Sequence, residues 1–203
     1  MGVLVYETAT GRVIKLVTGA NSHDQALNAG ESTLLFDGTP DGYVDISTQT
    51  LVPFPLRPSV YHTWDWPTKS WLPDLPAATT ARKAEIDVER DRRINLPLAY
   101  DGKTLDADAR ARENLKSKLE EIQSREALDQ PMPVELLVWR DADNVTRSWS
   151  AQEAYKAWLE GLTIAMSERG TLIYAAAWQH KANVDALADI DAVLAYDITQ
   201  GWP

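Results

Sequence analysis

The last third of the chain spaces its hydrophobic residues as one face of a long helix. Between residues 150 and 197 they recur at alternating steps of three and four. The seam comprises Tyr155, Leu159, Leu162, Met166, Ile173, Ala176, Leu187, Ile190 and Leu194, with Arg169, His180 and Asn183 in the remaining places. A period near 3.5 residues suits packing against partner helices, so we predict that this seam is an oligomer or partner interface. Its polar members would then select the register of that assembly.

The ends and continuity of this helix depend on a few residues. Ser150 and Glu153 have the spacing of a capping box, which predicts the start of the helix. An unbroken helix to residue 197 would be about 70 Å long. Gly170 in its middle costs about 1 kcal/mol relative to alanine. A continuous helix and a break at Gly170 into two antiparallel halves therefore both stay open.

The first part of the chain, residues 1–76, has the short alternating runs of β-strands. We predict a hairpin from residues 3–6 and 12–17, a strand at residues 32–36 and a short pair at residues 43–46 and 51–54. Residues 61–71 predict another hairpin, in which Trp64 and Trp71 meet across the strands. Residues 73–76 contain two prolines and are predicted to be a linker.

Residues 77–203 combine helical periodicity with short hairpin signals. A helix is predicted from Thr79 or Thr80 to Ile94, and another over residues 108–127. Hairpins are predicted at residues 98–105, around Asp101-Gly102, and between residues 134–140 and 145–149. The predicted fold class is α+β, with a β-rich domain at 1–76 and a mainly helical domain at 77–203.

Composition excludes several functional classes. The 203 residues are 44% hydrophobic and 25% charged, as in ordinary globular proteins, and no apolar run is long enough for a membrane span. The first residues lack the basic region of a signal peptide. A net charge of −10 disfavours binding to nucleic acid. The absence of cysteine excludes disulfides, thiolate catalysis and zinc–thiolate sites.

The residues that could perform chemistry are not arranged as a catalytic or metal site. His23, His62 and His180 lie in separate segments, without the spacing of a metal motif. Asp185 and Asp189, one helical turn apart, could hold a divalent cation, but a solvated acidic face is the commoner reading. Residues 141–144 lack the other ligands of a calcium loop and predict a turn. Nucleotide-binding and hydrolase motifs are missing as well, so we predict no catalytic residue, metal or cofactor.

Aromatic residues cluster in one segment. Tyr61, Trp64, Trp66 and Trp71 all fall in the hairpin at residues 61–71. Large rings there would form a small core or a subunit interface, and a platform for sugar rings is the alternative. Trp202, near the end of the sequence, would be a docking anchor.

Several segments resemble a protein family. Residues 90–94 (RDRRI) and 98–103 (LAYDGK) are similar to the opening of an uncharacterised domain at the C-terminal ends of many tailed-phage fibre and fibre-assembly proteins. Residues 139–144 and the helix after Ser150 are similar to the rest of it. Residues 40–45, 61–66 and 201–203 also resemble segments of tail-fibre-associated proteins, so the resemblance covers most of residues 40–203.

This resemblance implies a non-enzymatic component of the tail fibre or baseplate that meets the host. Made in the host cytoplasm, it would reside in the virion tail and bind other tail proteins, with a host surface receptor as a further candidate partner. Fibres of this kind are commonly trimeric, which implies a homotrimer. A fibre-assembly chaperone is the first alternative, and a glycan-binding module that uses Trp64, Trp66 and Trp71 is the second.

Overall fold

The computed structural model describes residues 2–19 and 26–203 of the chain. The chain divides into two compact units, Met1–Ala77 and Ala78–Pro203, which we call unit 1 and unit 2. Unit 1 consists of β-hairpins and a small sheet, whereas unit 2 combines helices with short hairpins. The fold class is therefore α+β, as predicted.

Unit 1 is built around its first strand. Its strands are β1 (Gly2–Glu7), β2 (Val13–Thr18), β3 (Glu31–Phe36), β4 (Gly42–Asp45), β5 (Thr50–Pro53), β6 (His62–Asp65) and β7 (Ser70–Pro73). Strand β1 lies between β2 and β3 in an antiparallel sheet, and its residues 3–6 are all buried. Gly11 has a φ of 72°, and the Val44 amide donates a 2.8 Å hydrogen bond to its carbonyl. A Cβ at Gly11 would lie 2.0 Å from the Val44 carbonyl oxygen, so only glycine allows this approach.

The hairpins β4–β5 and β6–β7 repeat one design. Asp45 pairs with Thr50 in the first hairpin, and Asp65 pairs with Ser70 in the second, twenty residues on. In each turn the aspartate accepts hydrogen bonds from a following backbone N–H and hydroxyl group, and these bonds lower the pKa of both carboxyls. The two hairpins therefore have the same register and turn.

Helix α1 (Leu75–Ile94) belongs to unit 2 for most of its length and starts earlier than predicted. The Asp74 carboxylate accepts a hydrogen bond from the Ala77 amide. Pro76 fits the first turn of the helix, because N–H groups there have no partner within the helix and proline has no N–H. The prediction that residues 73–76 form a linker was therefore wrong for Leu75 and Pro76, and also for Pro73, which ends β7. Helix α2 (Ala109–Ala127) is confirmed, with Asp108 as its cap.

Two short hairpins accompany these helices. They are β8–β9 (Leu98–Tyr100 and Lys103–Leu105) and β10–β11 (Val138–Arg140 and Thr146–Ser148). Positive φ at both Asp101 and Gly102 gives the expected type I′ turn. The strand predicted from residue 134 begins only at Val138, because Val134–Leu136 form a 3₁₀ turn.

The long helix α3 (Gln152–Asp185) passes through Gly170 without a break. It is about 50 Å long and ends twelve residues before the predicted end at residue 197. Asp189 caps a separate helix, α4 (Ile190–Ala195), by accepting a hydrogen bond from the Ala192 amide. The predicted capping box was wrong, because Ala151 is the N-cap residue and no side chain caps this end.

The core of unit 2 lies where α3 meets α2 and the hairpins. Its buried members are Leu105, Leu115, Ile122, Met132, Leu137, Tyr155, Trp158, Leu159 and Leu162. The Tyr155 hydroxyl donates a 2.8 Å hydrogen bond to the Val138 carbonyl, and burial raises the pKa of Tyr155 to about 12. Hairpin β10–β11 is thereby fixed to the first turns of α3.

Two glycines of α3 give a matched test of this packing. A Cβ at Gly170 meets no atom within 4 Å, so Gly170→Ala should raise the free energy of unfolding by about 0.5–1 kcal/mol. A Cβ at Gly161 would lie 2.2 Å from the Tyr100 hydroxyl oxygen, so Gly161→Ala should lower it. Urea unfolding of both variants measures the difference. Destabilisation by Gly170→Ala would contradict a continuous, unobstructed helix.

Candidate binding surfaces

The outward face of α3 exposes large apolar side chains. Trp178 is 68% exposed, Ile164 58% and Leu172 57%. Ile164 and Trp178 belong to a row that follows the helix at alternating steps of three and four. We call this row the outer stripe: Ala157, Gly161, Ile164, Glu168, Thr171, Ala175, Trp178 and Ala182. All of its members except the half-buried Gly161 are exposed. Large exposed apolar side chains such as Ile164 and Trp178 are typical of protein contact sites when they share one face.

The surroundings of the outer stripe differ between its two ends. At Gly161, the Tyr100 side chain packs beside the helix. Farther along, Tyr174 flanks the stripe with its ring 6.4 Å from that of Trp178, and the Arg90 guanidinium lies 5.2 Å from the Tyr174 ring. The C-terminal half of the stripe is therefore its more aromatic part.

The predicted interface seam occupies the opposite face of α3. Tyr155, Leu159, Leu162 and Ile173 are buried within this single chain. The first three belong to the core that α3 forms with α2 and the hairpins, and Ile173 is also buried farther along α3. All four are therefore core residues rather than an open docking edge. The periodicity identified the buried face correctly, but partner chains are not needed to cover it.

Met166 and Arg169 continue the seam at the edge of this core. Met166 lines a groove of about 440 Å³ between α2 and α3, together with Leu115 and Leu119. The Arg169 guanidinium donates hydrogen bonds to the carbonyls of residues 93, 96 and 97, at and just beyond the C-terminal end of α1. A cation is favourable there because of the helix dipole, although burial lowers the pKa of Arg169. Arg169 therefore joins two helices of one chain.

The last three apolar members of the seam lie beyond the end of α3. Leu187 is half-buried in the connection, whereas Ile190 and Leu194 are on α4. Ile190 is buried and Leu194 is half-buried. The prediction that they extend one continuous helical seam was wrong, because the chain turns after Asp185 and starts a new helix at Ile190.

His180 anchors the residues after α4. Its ring stacks on Trp202 at a centroid distance of 4.9 Å, and its Nδ1 lies 2.8 Å from the Tyr196 hydroxyl. The Trp202 indole N–H donates a 2.8 Å hydrogen bond to the Ile198 carbonyl. The predicted polar seam position is therefore used inside the chain, and Trp202 docks on unit 2 itself.

Glu89 on α1 is linked through Arg93 to the residues after α4, and it makes the stability of unit 2 depend on pH. Its carboxylate accepts hydrogen bonds from Arg92 and Arg93. These bonds, and the one from Arg92 most of all, lower the pKa of Glu89 from 4.5 to about 2. Arg93 also donates a 2.8 Å hydrogen bond to the Thr199 carbonyl. Because the pKa is lower in the folded state, this stabilisation is present above about pH 4.5 and is lost as pH falls toward 2.

Glu89→Gln should consequently lower the free energy of unfolding by about 1 kcal/mol at neutral pH and by less in acid. Urea unfolding of the wild type and the variant at about pH 7 and about pH 3 measures this change. A difference between the two proteins that stays constant with pH would contradict the ionic role of Glu89.

The tryptophans of the β6–β7 hairpin form an aromatic cluster in unit 1. Trp64 and Trp71 are paired across the strands with ring centroids 5.3 Å apart, as predicted. The Trp66 ring lies 6.3 Å from that of Trp64. Phe54 and Tyr43 complete the cluster, with rings 4.8 and 5.5 Å from that of Trp64. The rings meet mainly edge to face or tilted, which is the arrangement of a small core.

The rings of this aromatic cluster also contact a cation and a backbone carbonyl of unit 1. The Lys69 ammonium lies 5.0 Å from the Tyr43 ring and 5.3 Å from the Trp66 ring. The Trp71 indole N–H donates a 2.8 Å hydrogen bond to the Pro55 carbonyl. Tyr61, the remaining predicted member, is half-buried, and its carbonyl accepts a 2.7 Å hydrogen bond from the Asp74 amide. Much of the predicted sugar platform is therefore engaged within unit 1.

Sequence reasoning missed Tyr43 and Phe54 as members of this cluster. Tyr43 is on β4, and Phe54 follows β5, so both belong to the neighbouring hairpin. The twenty-residue repeat from Asp45 to Asp65 was the signal that could have found them. Repeated hairpins of one register tend to pack together through matching faces.

The family model described as a domain of unknown function, DUF4376, matches residues 77–200, more than half of the chain. The chain belongs to the DUF4376 family. The match covers nearly all of unit 2, including α3 and the outer stripe. No curated protein and no solved structure matches the chain.

Within the DUF4376 domain, the carboxylates considered for a metal have structural roles. Asp185 pairs with Lys83 at 2.8 Å, and Asp189 caps α4, so the two no longer share one helix. Asp141 forms the predicted turn by accepting hydrogen bonds from the amides of Asp143 and Val145. Residues 2–19 and 26–203 hold no group of three or more ligands that could bind a metal ion.

His62, in unit 1, is buried with Nδ1 2.9 Å from the Ser59 hydroxyl, whereas His23 lies outside the described residues. Among the helices of the described residues, none has both the length and the apolar character needed to cross a membrane.

Proposed function

We propose that this chain is a protein-binding structural component of the bacteriophage tail fibre or baseplate apparatus, located in the virion tail. The binding role is supported above all by the outer stripe of α3, where Ile164 and Trp178 are exposed. Isolated exposed apolar residues need no explanation, but Leu172 and Tyr174 are exposed beside these two, and four large apolar side chains on one helix are typical of an interaction surface.

The assignment to a phage tail is supported by the resemblance of residues 40–203 to tail-fibre-associated proteins. The DUF4376 match covers residues 77–200 of the same stretch, and because that family is described as of unknown function, the assignment rests on the resemblance. The partners would be other tail proteins and, at the host surface, a receptor. The same surfaces would serve a fibre-assembly chaperone, which binds its partner transiently.

Quantitative mass spectrometry of purified phage particles separates these roles. A structural component should be present in a fixed ratio to the known tail proteins, and that ratio should survive washing in high salt. A chaperone should be abundant in infected cells and absent from particles. Absence from both the particles and every isolated fibre-assembly complex would contradict the proposal.

A further inference from the structure

The outer stripe of α3 leaves its two large apolar members, Ile164 and Trp178, 58% and 68% exposed. We infer that it binds the outer stripe of a second copy of this chain, with the two α3 helices antiparallel. The members of the stripe lie on one line along the helix, so they can all face a second helix that packs along α3. Leu172 and Tyr174 flank this row, where they would cover the sides of such a contact.

Large and small residues of the stripe complement each other when one copy is reversed. With the symmetry axis midway between Thr171 and Ala175, Thr171 of one copy faces Ala175 of the other. Ile164 then faces Ala182, so a large side chain meets a small one at each end. The two small central residues allow the helices to approach closely, as ridges-into-grooves packing requires.

The same register gives the one charged residue of the stripe a polar partner. Glu168 faces Trp178 of the second copy, whose indole N–H is a hydrogen-bond donor. In a parallel dimer or trimer, Glu168 would instead face its own copies, and the outer stripe carries no lysine or arginine to compensate. Like charges at a helix contact are destabilising, which favours the antiparallel arrangement.

The position of the axis also agrees with the surroundings of α3. Tyr100 packs beside Gly161, near the N-terminal end of the stripe. An axis near residue 173 places the closest contact three turns away, in the more aromatic half. A two-fold contact of this kind buries the same patch on both copies, which is the commonest symmetry of oligomers.

Sedimentation velocity of the full chain tests the contact. The wild type should form a dimer, and Trp178→Glu should raise the dissociation constant of that dimer at least about tenfold, because it removes the large ring and places a second carboxylate opposite Glu168. Val88→Glu is the matched control, because Val88 is 70% exposed on α1 and lies outside the outer stripe. Circular dichroism checks that both variants are folded. A wild type that stays monomeric, or a Trp178→Glu dimer of unchanged affinity, would overturn the inference.

Disulfide cross-linking tests the orientation without background, since the chain has no cysteine. Ile164→Cys and Ala182→Cys should form disulfide-linked dimers when the two variants are mixed, and neither should do so alone. Efficient cross-linking of either variant alone would indicate a parallel dimer or trimer and overturn the antiparallel arrangement. The inference rests on the binding role proposed for the outer stripe and names a second copy as its partner. A monomer present in virions in a fixed ratio to the tail proteins would refute the inference and leave the assignment to the phage tail standing.

Discussion

Leu162→Asp is expected to unfold unit 2 rather than to separate folded copies of the chain. Leu162 is fully buried in the core that α3 forms with α2 and the hairpins. An unpaired carboxylate at that position has no hydrogen-bonding partner and cannot reach water, and its burial costs several kcal/mol. Because domains are stable by only about 5–15 kcal/mol, one such change is enough to abolish the fold.

Circular dichroism and urea unfolding measure this effect. Leu162→Ala, the milder variant, should remain folded and lose about 2–5 kcal/mol of unfolding free energy. Ile164→Asp is the control, because Ile164 is two residues away on the exposed outer stripe and tolerates a charge in the monomer. A folded, monomeric Leu162→Asp variant would show instead that the predicted interface seam, on the inner face of α3, is the partner interface.

Trp64→Ala should cause the largest loss of stability in unit 1. The Trp64 ring contacts those of Tyr43, Phe54, Trp66 and Trp71, so its removal leaves a gap at the centre of the aromatic cluster. A loss of about 3 kcal/mol is expected from such a truncation. Two short hairpins have little other apolar surface with which to compensate.

Trp178→Ala is the matched control for this prediction. It removes the same side chain from the exposed stripe of α3 and should change the stability of the monomer by less than about 0.5 kcal/mol. Urea unfolding of both variants below the concentration of dimerisation gives the comparison. Equal stability of Trp64→Ala and the wild type would contradict a structural role, and a glycan array would then be the appropriate experiment for Trp64, Trp66 and Trp71.

The hairpins were predictable because their turns are determined locally. Asp101-Gly102 adopts the type I′ turn that this dipeptide favours, and the polar residues at 141–144 form the turn between β10 and β11. The pairing of Trp64 with Trp71 followed from the same local register. Such signals involve neighbours in sequence, so no knowledge of tertiary packing was needed.

The role of the predicted interface seam could not be deduced from such local signals. Periodicity shows that one face of a helix is buried, but it does not show which chain covers that face. Here α2 and the hairpins of the same chain cover Tyr155, Leu159 and Leu162. The sequence also does not show where α3 ends, because Asp189 can continue a helix or cap a new one. In the structure it caps α4, whose first residue, Ile190, is buried.

The outer stripe was missed because its composition gives little contrast. Most of its members are alanine, glycine or threonine, and only Ile164 and Trp178 are large and apolar. The buried seam on the opposite face is far more hydrophobic and dominates the periodicity. Exposure in the folded chain, rather than the sequence pattern, distinguishes the contact surface from the core.

The central claim is that the two faces of α3 have different roles, with the inner face in the core and the outer face in contact with a second copy. Thiol labelling of Ala175→Cys tests this claim most directly, because residue 175 lies on the outer stripe and the substitution is small. We expect the rate of maleimide modification to fall as the protein is concentrated into its dimer, while Val88→Cys reacts at a constant rate. A rate at residue 175 that is unchanged when the mass doubles would place the contact elsewhere and contradict the account.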